Sequence, residues 1–208
     1  PAFIDRFLAT AEAFQVDVVL LFNKEDTYSE AELTELRALK SDYEKIGYQC
    51  LEISALYGHQ VDAVKDLMKD KVCMLSGHSG VGKSTLVNAL APDLKLKTAE
   101  ISEQHQQGQH TTTFAEMHPL DFGAKIIDTP GIRGFGMIDF NKEELGDYFR
   151  EFFALKDQCK FNNCLHLDEP KCAIKAAVES GEIAPSRYKS YLQMLEDEST
   201  NYRTDFAT

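Results

Sequence analysis

Leu75-Ser76-Gly77-His78-Ser79-Gly80-Val81-Gly82-Lys83-Ser84-Thr85 is the stretch whose reading decides the fold of this chain. An apolar run over 71–75 leads into it and a helical pattern over 85–90 leads out, the strand–loop–helix setting that Gly-x-x-x-x-Gly-Lys-Ser demands. Gly77, Gly80 and Gly82 let the backbone bend so that the N–H groups of the loop, those of His78, Ser79 and Val81 among them, point inward at phosphate oxygens. The helix that follows adds its positive end. Lys83 is placed to reach the β- and γ-phosphates, the Ser84 hydroxyl to ligate Mg²⁺, and Thr85 to complete the loop. A Gly-rich turn that matches by chance is the alternative, and the flanking strand and helix speak against it. The expected ligand is a nucleoside triphosphate.

Upstream, Phe3, Phe7, Leu8 and Ala11 fall at helical spacing within 2–14. Val16-Asp17-Val18-Val19-Leu20-Leu21-Phe22 then reads as a buried parallel strand, from its nearly continuous apolar character. It ends in Asn23-Lys24-Glu25-Asp26. In Asn-Lys-x-Asp the carboxylate of Asp26 can accept from the N1–H and 2-amino group of guanine, donors that adenine lacks at those positions. Asn23 can contact N7, and the Lys24 stem can lie over the base. Buried polar groups left unpaired by the wrong base give such a site its discrimination. A polar turn after a strand also commonly carries Asn and Asp. A helix over 29–46 follows, with Ser29 and Glu32 spaced as a capping box and Gly47 closing it. The next strand, 48–53, ends in Ser54-Ala55, the place from which a backbone N–H would support the guanine O6. A helix over 61–69 returns the chain to the phosphate-loop strand.

Downstream, 92–113 is polar and irregular, and a long structureless loop is usually functional or disordered. It contains Gly108-Gln109-His110-Thr111-Thr112-Thr113, in which Thr112, with Thr113 next, is the candidate for ligating Mg²⁺ and sensing the γ-phosphate. A Thr-rich entry to the strand over 114–120 is the rival explanation. A further strand, 124–127, ends in Asp128-Thr129-Pro130-Gly131: Asp128 would hold Mg²⁺ through water and the Gly131 N–H would bond the γ-phosphate. Hydrolysis would then release the segment behind it, whose Gly134 and Gly136 suit a moving loop.

All the parts of a GTPase are present, but the base-reading motifs precede the phosphate loop. Motifs at the carboxyl ends of strands in one parallel sheet meet where the strand tips meet, wherever the chain begins. The order therefore predicts a circularly permuted GTPase domain over 1–140, an α/β fold with a parallel sheet flanked by helices. A small helical zinc-binding domain is expected over 141–208. It opens with a helix over 142–155 and continues with Cys159, Cys164, His166 and Cys172, three thiolates and one imidazole that suit a closed, structural Zn²⁺ site. Buried free thiols or a disulfide are the alternatives, and Asp168 is a rival oxygen ligand. Cys50 and Cys73 fall in expected strands and read as core thiols. Two helices, broken near Gly181 and Pro185, end the chain, with its last ten residues frayed.

The 208 residues hold 43% hydrophobic and 27% charged side chains, with a net charge of −12. The acidic balance opposes a broad, nonspecific grip on nucleic acid but leaves room for a local basic patch. There is no apolar run of about 18 residues and no secretory leader, so no membrane partner is expected. An odd number of cysteines, five, suits a reduced, cytoplasmic chain. The abrupt start at Pro1 suggests a piece whose N-terminal part is missing.

The permuted order, together with Gly-His-Ser-Gly-Val-Gly-Lys-Ser, Gly-Gln-His-Thr-Thr-Thr, Asp-Thr-Pro-Gly and Cys-x4-Cys-x-His-x5-Cys, resembles the RsgA (YjeQ/EngC) family of small-ribosomal-subunit biogenesis GTPases over essentially the whole chain. The resemblance implies hydrolysis of GTP to GDP, stimulation by the small ribosomal subunit and its rRNA, departure upon hydrolysis, and an OB-fold domain ahead of the present chain. The protein is expected to be monomeric. Small GTPases place a water-orienting Gln just after Asp-x-x-Gly. Here Ile132 stands there, so His110 is the candidate for that task, with a loop histidine of no catalytic part as the alternative. A permuted GTPase of large-subunit assembly is a second reading, against which the Cys/His cluster argues. Others are a nucleotide-gated RNA- or ribosome-binding module with incidental hydrolysis, and a free-standing nucleic-acid binder in the zinc region.

Overall fold

The capping box forms as its spacing predicts. The Ser29 N–H donates to Glu32 Oε2 at 2.8 Å, and the Glu32 N–H donates back to Ser29 Oγ at 3.4 Å. The backbone bond from Ser29 holds the Glu32 carboxyl below its ordinary value. Helix α2 (Glu30–Lys45) starts from this pair, and Gly47, at φ +87°, turns the chain out of it. This computed structural model describes residues 1–92, 116–128 and 140–204, with 116, 128 and 197–204 given by their backbone alone.

Before α2 come α1 (Ala2–Ala13) and β1 (Val19–Asn23), and after it β2 (Gln49–Ile53), α3 (Val61–Met68), β3 (Val72–Met74) and α4 (Lys83–Leu90). Strands β4 (Glu116–Pro119) and β5 (Lys125–Asp128) follow, joined by a tight turn at Gly123. The remaining helices are α5 (Lys142–Leu145), α6 (Arg150–Leu155), α7 (Ala173–Ser180) and α8 (Pro185–Thr204). Among the described residues the strands form two sheets rather than one: β1 pairs with β2, and a second sheet has the order β3-β5-β4. Within the second sheet β3 and β5 are parallel, with Met74 opposite Ile127, and β4 runs antiparallel to β5. Strand β1 is half-buried throughout, and Val16, expected in a buried strand, precedes it and is 50% exposed. Its described neighbour is β2 alone, so its apolar run is only partly covered.

The chain divides into two compact units that do not follow sequence order. One comprises Val19–Ser41 and Cys50–Ile132, the other Pro1–Val18, Asp42–Gln49 and Arg133–Thr208. In the first, Ile53, Ala55, Val64, Met68, Leu86, Leu90 and Ile126 share one core, so α3, α4 and both sheets bury their apolar faces together. In the second, Ala9 of α1 lies in one core with Leu145, Phe149, Phe152, Ile174, Tyr191 and Met194. Full burial of each large apolar side chain contributes about 1.5–3 kcal/mol. That gain groups α1 with residues after 133.

Residues 142–155, expected as one helix, are broken. A 3₁₀ turn, Gly146–Tyr148, separates α5 from α6, and Phe149 is extended at φ −106°, ψ 108°. Phe149 is fully buried and meets the Tyr191 ring edge-on at 5.5 Å between centroids. Helix propensity is a weak preference of tenths of a kcal/mol per residue, roughly, and burying an aromatic ring outweighs it.

Candidate nucleotide site and metal centre

The phosphate loop runs from β3 into α4 as expected. Gly82 is left-handed at φ +94° and forms the N-cap of α4, so Lys83 and Ser84 open the helix whose N–H groups face the loop. His78, Ser79, Gly80 and Val81 are exposed along the loop, Ser84 is half-buried in the first turn of α4, and Thr85 is exposed. Lys83 Nζ donates to the carbonyl oxygens of Gly77 and His78, at 2.6 and 2.8 Å. Partial burial pushes this ammonium below its ordinary pKa. Both bonds are to neutral carbonyls, so a phosphate would offer the ammonium a stronger, charge-assisted acceptor.

Asn23 is the residue that holds the site together. Its Nδ2 donates to the Val81 carbonyl at 2.9 Å, and its Oδ1 accepts from the Ala55 N–H at 3.0 Å. One side-chain amide thereby joins three segments separated in sequence by 58 and 32 residues. The sequence reading gave Asn23 a contact with the base and missed this brace, which requires knowing that both backbone groups lie within its reach. Of the Ser54-Ala55 loop, from which a backbone N–H was expected to support guanine O6, the Ala55 N–H donates to Asn23. A Cβ at position 82 would overlap Asn23 Nδ2, so glycine is needed there for space as well as for its backbone.

Lys24 is left-handed at φ +70° and starts the 3₁₀ turn Glu25–Thr27. Its carbonyl accepts from both the N–H and the hydroxyl of Thr27, each at 2.9 Å. Asp26 is exposed on this turn. Ser54 is buried, and its Oγ accepts from the Tyr57 N–H at 3.3 Å. The parallel register of Met74 with Ile127 sets Asp128, the end of β5, beside the entry to the phosphate loop. His110, Thr112, Thr113 and Gly131 lie outside the described residues, as does the glycine segment that follows.

In the other unit the structure brings Cys159, Cys164, His166 and Cys172 together, with their ligand atoms all within 4.8 Å of one another. Zn–S bonds of about 2.3 Å in a tetrahedron put sulfurs about 3.8 Å apart, so the group fits zinc. His166 Nδ1 lies 3.4 Å from Cys172 Sγ and 3.8 Å from Cys159 Sγ, so Nδ1 is the nitrogen that would ligate a metal here. Burial pushes the Cys164 thiol up to about 12 and depresses the His166 pKa. Burial thus favours the neutral imidazole, the form that ligates a metal, and a cation is what would hold these sulfurs as thiolates. Asp168 is not part of the group.

The shell around the cluster was not legible in advance. Glu169 accepts from the N–H groups of Leu165 and Leu167 at 2.8 and 2.7 Å, tying the loop on both sides of His166. Tyr188 and Tyr191 on α8 donate to the carbonyls of His166 and Leu165 at 2.6 and 2.8 Å. Gly146 leaves room for the imidazole, since a Cβ there would sit 3.3 Å from Nε2.

A phosphate loop braced by an Asn-Lys-x-Asp turn that precedes it in the chain defines a circularly permuted member of the GTP-binding proteins. Residues 1–138 match the RsgA GTPase family, and the chain belongs to that family. It is 64% identical over 203 residues to the small ribosomal subunit biogenesis GTPase RsgA of Christiangramia forsetii, covering 98% of this chain and 64% of that protein. The structure is similar to that of YjeQ from Thermotoga maritima, at a TM-score of 0.80 and 39% identity, over 95% of this chain and 65% of that one. It is also similar to YloQ, a circularly permuted GTPase, at a TM-score of 0.78 and 32% identity, over 96% of this chain and 63% of that one. The chain thus spans just under two thirds of the length of these relatives. Among the described residues, no helix is long and apolar enough to cross a membrane.

Proposed function

We propose that this chain is the GTP-hydrolysing part of a late assembly factor of the small ribosomal subunit, with the nucleotide state controlling binding and release. The observation that carries this reading is the Asn23 brace, which holds the Ser54-Ala55 loop and the phosphate loop on one side chain beside Asp26. Guanine would be read by Asp26, with Asn23 and Lys24 beside it. The phosphates would lie along residues 77–85, with Lys83 neutralising the developing charge.

Mg²⁺, when bound, would neutralise charge on the β- and γ-phosphates; Ser84, Thr112 and Asp128 are the residues to hold it. Gly131 would bond the γ-phosphate through its N–H, and His110 would orient the attacking water, since the Ile132 side chain can neither accept nor donate a hydrogen bond. One structural Zn²⁺ would be held by Cys159, Cys164, His166 and Cys172. In sequence terms, GTP chemistry belongs to 1–140 and the zinc-stapled, ribosome-facing part to 141–208. The names of the relatives support the small subunit as the partner; contact with its rRNA and action as a cytoplasmic monomer are further parts of this proposal.

Co-sedimentation of the whole protein with small subunits tests the proposal. A nonhydrolysable GTP analogue is expected to hold the protein on the subunit, GDP to release it, and His110→Ala to keep GTP binding while losing subunit-stimulated turnover. Equal sedimentation in both nucleotides would overturn the proposed role.

A further inference from the structure

The loop that carries Ser54-Ala55 folds back on itself. The Ser54 N–H donates to the His59 carbonyl at 3.2 Å, and the Val61 N–H donates to the Gly58 carbonyl at 3.3 Å. Gly58 at φ +77° and Gln60 at φ +60° make the reversal. The reversal delivers the His59 imidazole to the carboxylate of Glu25, with Nδ1 against Oε1. Glu25 occupies the variable position of Asn-Lys-x-Asp, immediately before Asp26, and opens the 3₁₀ turn. No requirement of the phosphate loop or of base reading calls for an acid at 25 or a histidine at 59.

The turn and the loop are therefore fastened at two points, Asn23 to Ala55 and Glu25 to His59. One fastening leaves the turn free to pivot about it, whereas two fix its angle. Asp26, the side chain that matters for base recognition, directly follows the second fastening. The Glu25 side chain is 21% exposed and the His59 side chain 56%, so the pair lies at the surface with its acid the better covered partner. A neutral imidazole with its proton on Nδ1 still donates to a carboxylate, so the fastening does not need a charged histidine.

We propose that Glu25 and His59 form a positioning clip that sets the aim of Asp26 and thereby the preference for guanine over bases lacking its 2-amino group. This rests on the guanine reading above. GDP and IDP, which differ only in that amino group, are the probes, each titrated against the full chain and against Glu25→Gln, His59→Gln and the double variant. A half-exposed pair contributes modestly, so each single variant is expected to weaken GDP about threefold. IDP is expected to change far less, and the double variant to be no worse than either single one. A merely structural role would weaken both nucleotides equally. Equal losses for GDP and IDP, no loss, or additive losses overturn the clip while the guanine reading stands. Failure of the unaltered protein to bind GDP overturns the guanine reading and the clip with it.

Discussion

Replacing Gly82 by Ala is expected to destabilise the nucleotide-binding unit much more than the same change at Gly80, although both glycines are left-handed members of one loop. Their φ values are +94° and +82°, so each substitution incurs the strain of a left-handed L-residue, roughly 1–2 kcal/mol. At Gly80 nothing lies within 4 Å of the added Cβ, and the cost stops there. At Gly82 the Cβ would overlap Asn23 Nδ2, and the short amide cannot move aside while bonded at both ends. Displacing it breaks the bonds to Val81 and Ala55, at about 1 kcal/mol each. Gly82→Ala should therefore cost about 3–4 kcal/mol and Gly80→Ala about 1–2 kcal/mol. Urea unfolding of the nucleotide-free protein, followed by circular dichroism, measures both. In an Asn23→Ala background the obstacle is gone, so Gly82→Ala should cost no more than Gly80→Ala, a coupling of about 2 kcal/mol. Equal losses at the two glycines, or an unchanged cost of Gly82→Ala without Asn23, would refute the brace.

Zinc analysis of the purified protein should return one equivalent per chain, and Cys172→Ser should lower it; prolonged chelation should expose the second unit to proteolysis while nucleotide binding persists. A metal content that does not change with Cys172→Ser would remove the assignment. In the same unit, Arg187 is 3% exposed and donates to Asp5 at 2.7 Å and to Glu151 at 2.7 and 3.2 Å. Arg187→Ala leaves two buried carboxylates without their cation and should cost about 3–5 kcal/mol, read from thermal unfolding. A loss below about 1 kcal/mol, the range of an exposed pair, would contradict that reading.

The parts of the chain that were legible beforehand are those whose chemistry is local. The capping box needs two residues three apart, and it formed. The phosphate loop needs glycines between a strand and a helix, and the structure has Gly82 capping α4. Four sulfur and nitrogen ligands within 14 residues can reach one point, and they do. What was missed depends on partners remote in sequence. Arg187 meets Asp5 across 182 residues, which draws α1 into the core of the last 70 or so residues, and no periodicity in α1 announces it. The break at Phe149 has the same origin, because its ring is buried against Tyr191 from another helix.

By itself, the order of short motifs determined the class of protein, a circularly permuted GTPase, and singled out the residues proposed to cradle phosphate, to read a base and to gather a metal. Backbone geometry and donor chemistry over a few residues suffice for that. Only the tertiary structure decided what each group is free to do. The Asn23 amide and the Ala55 N–H meet each other, Glu25 meets His59, and Gly82 is small for the sake of a side chain 59 positions earlier. Hydrogen bonds and exclusion act over a few ångströms of space, and only the folded chain determines which residues come that close.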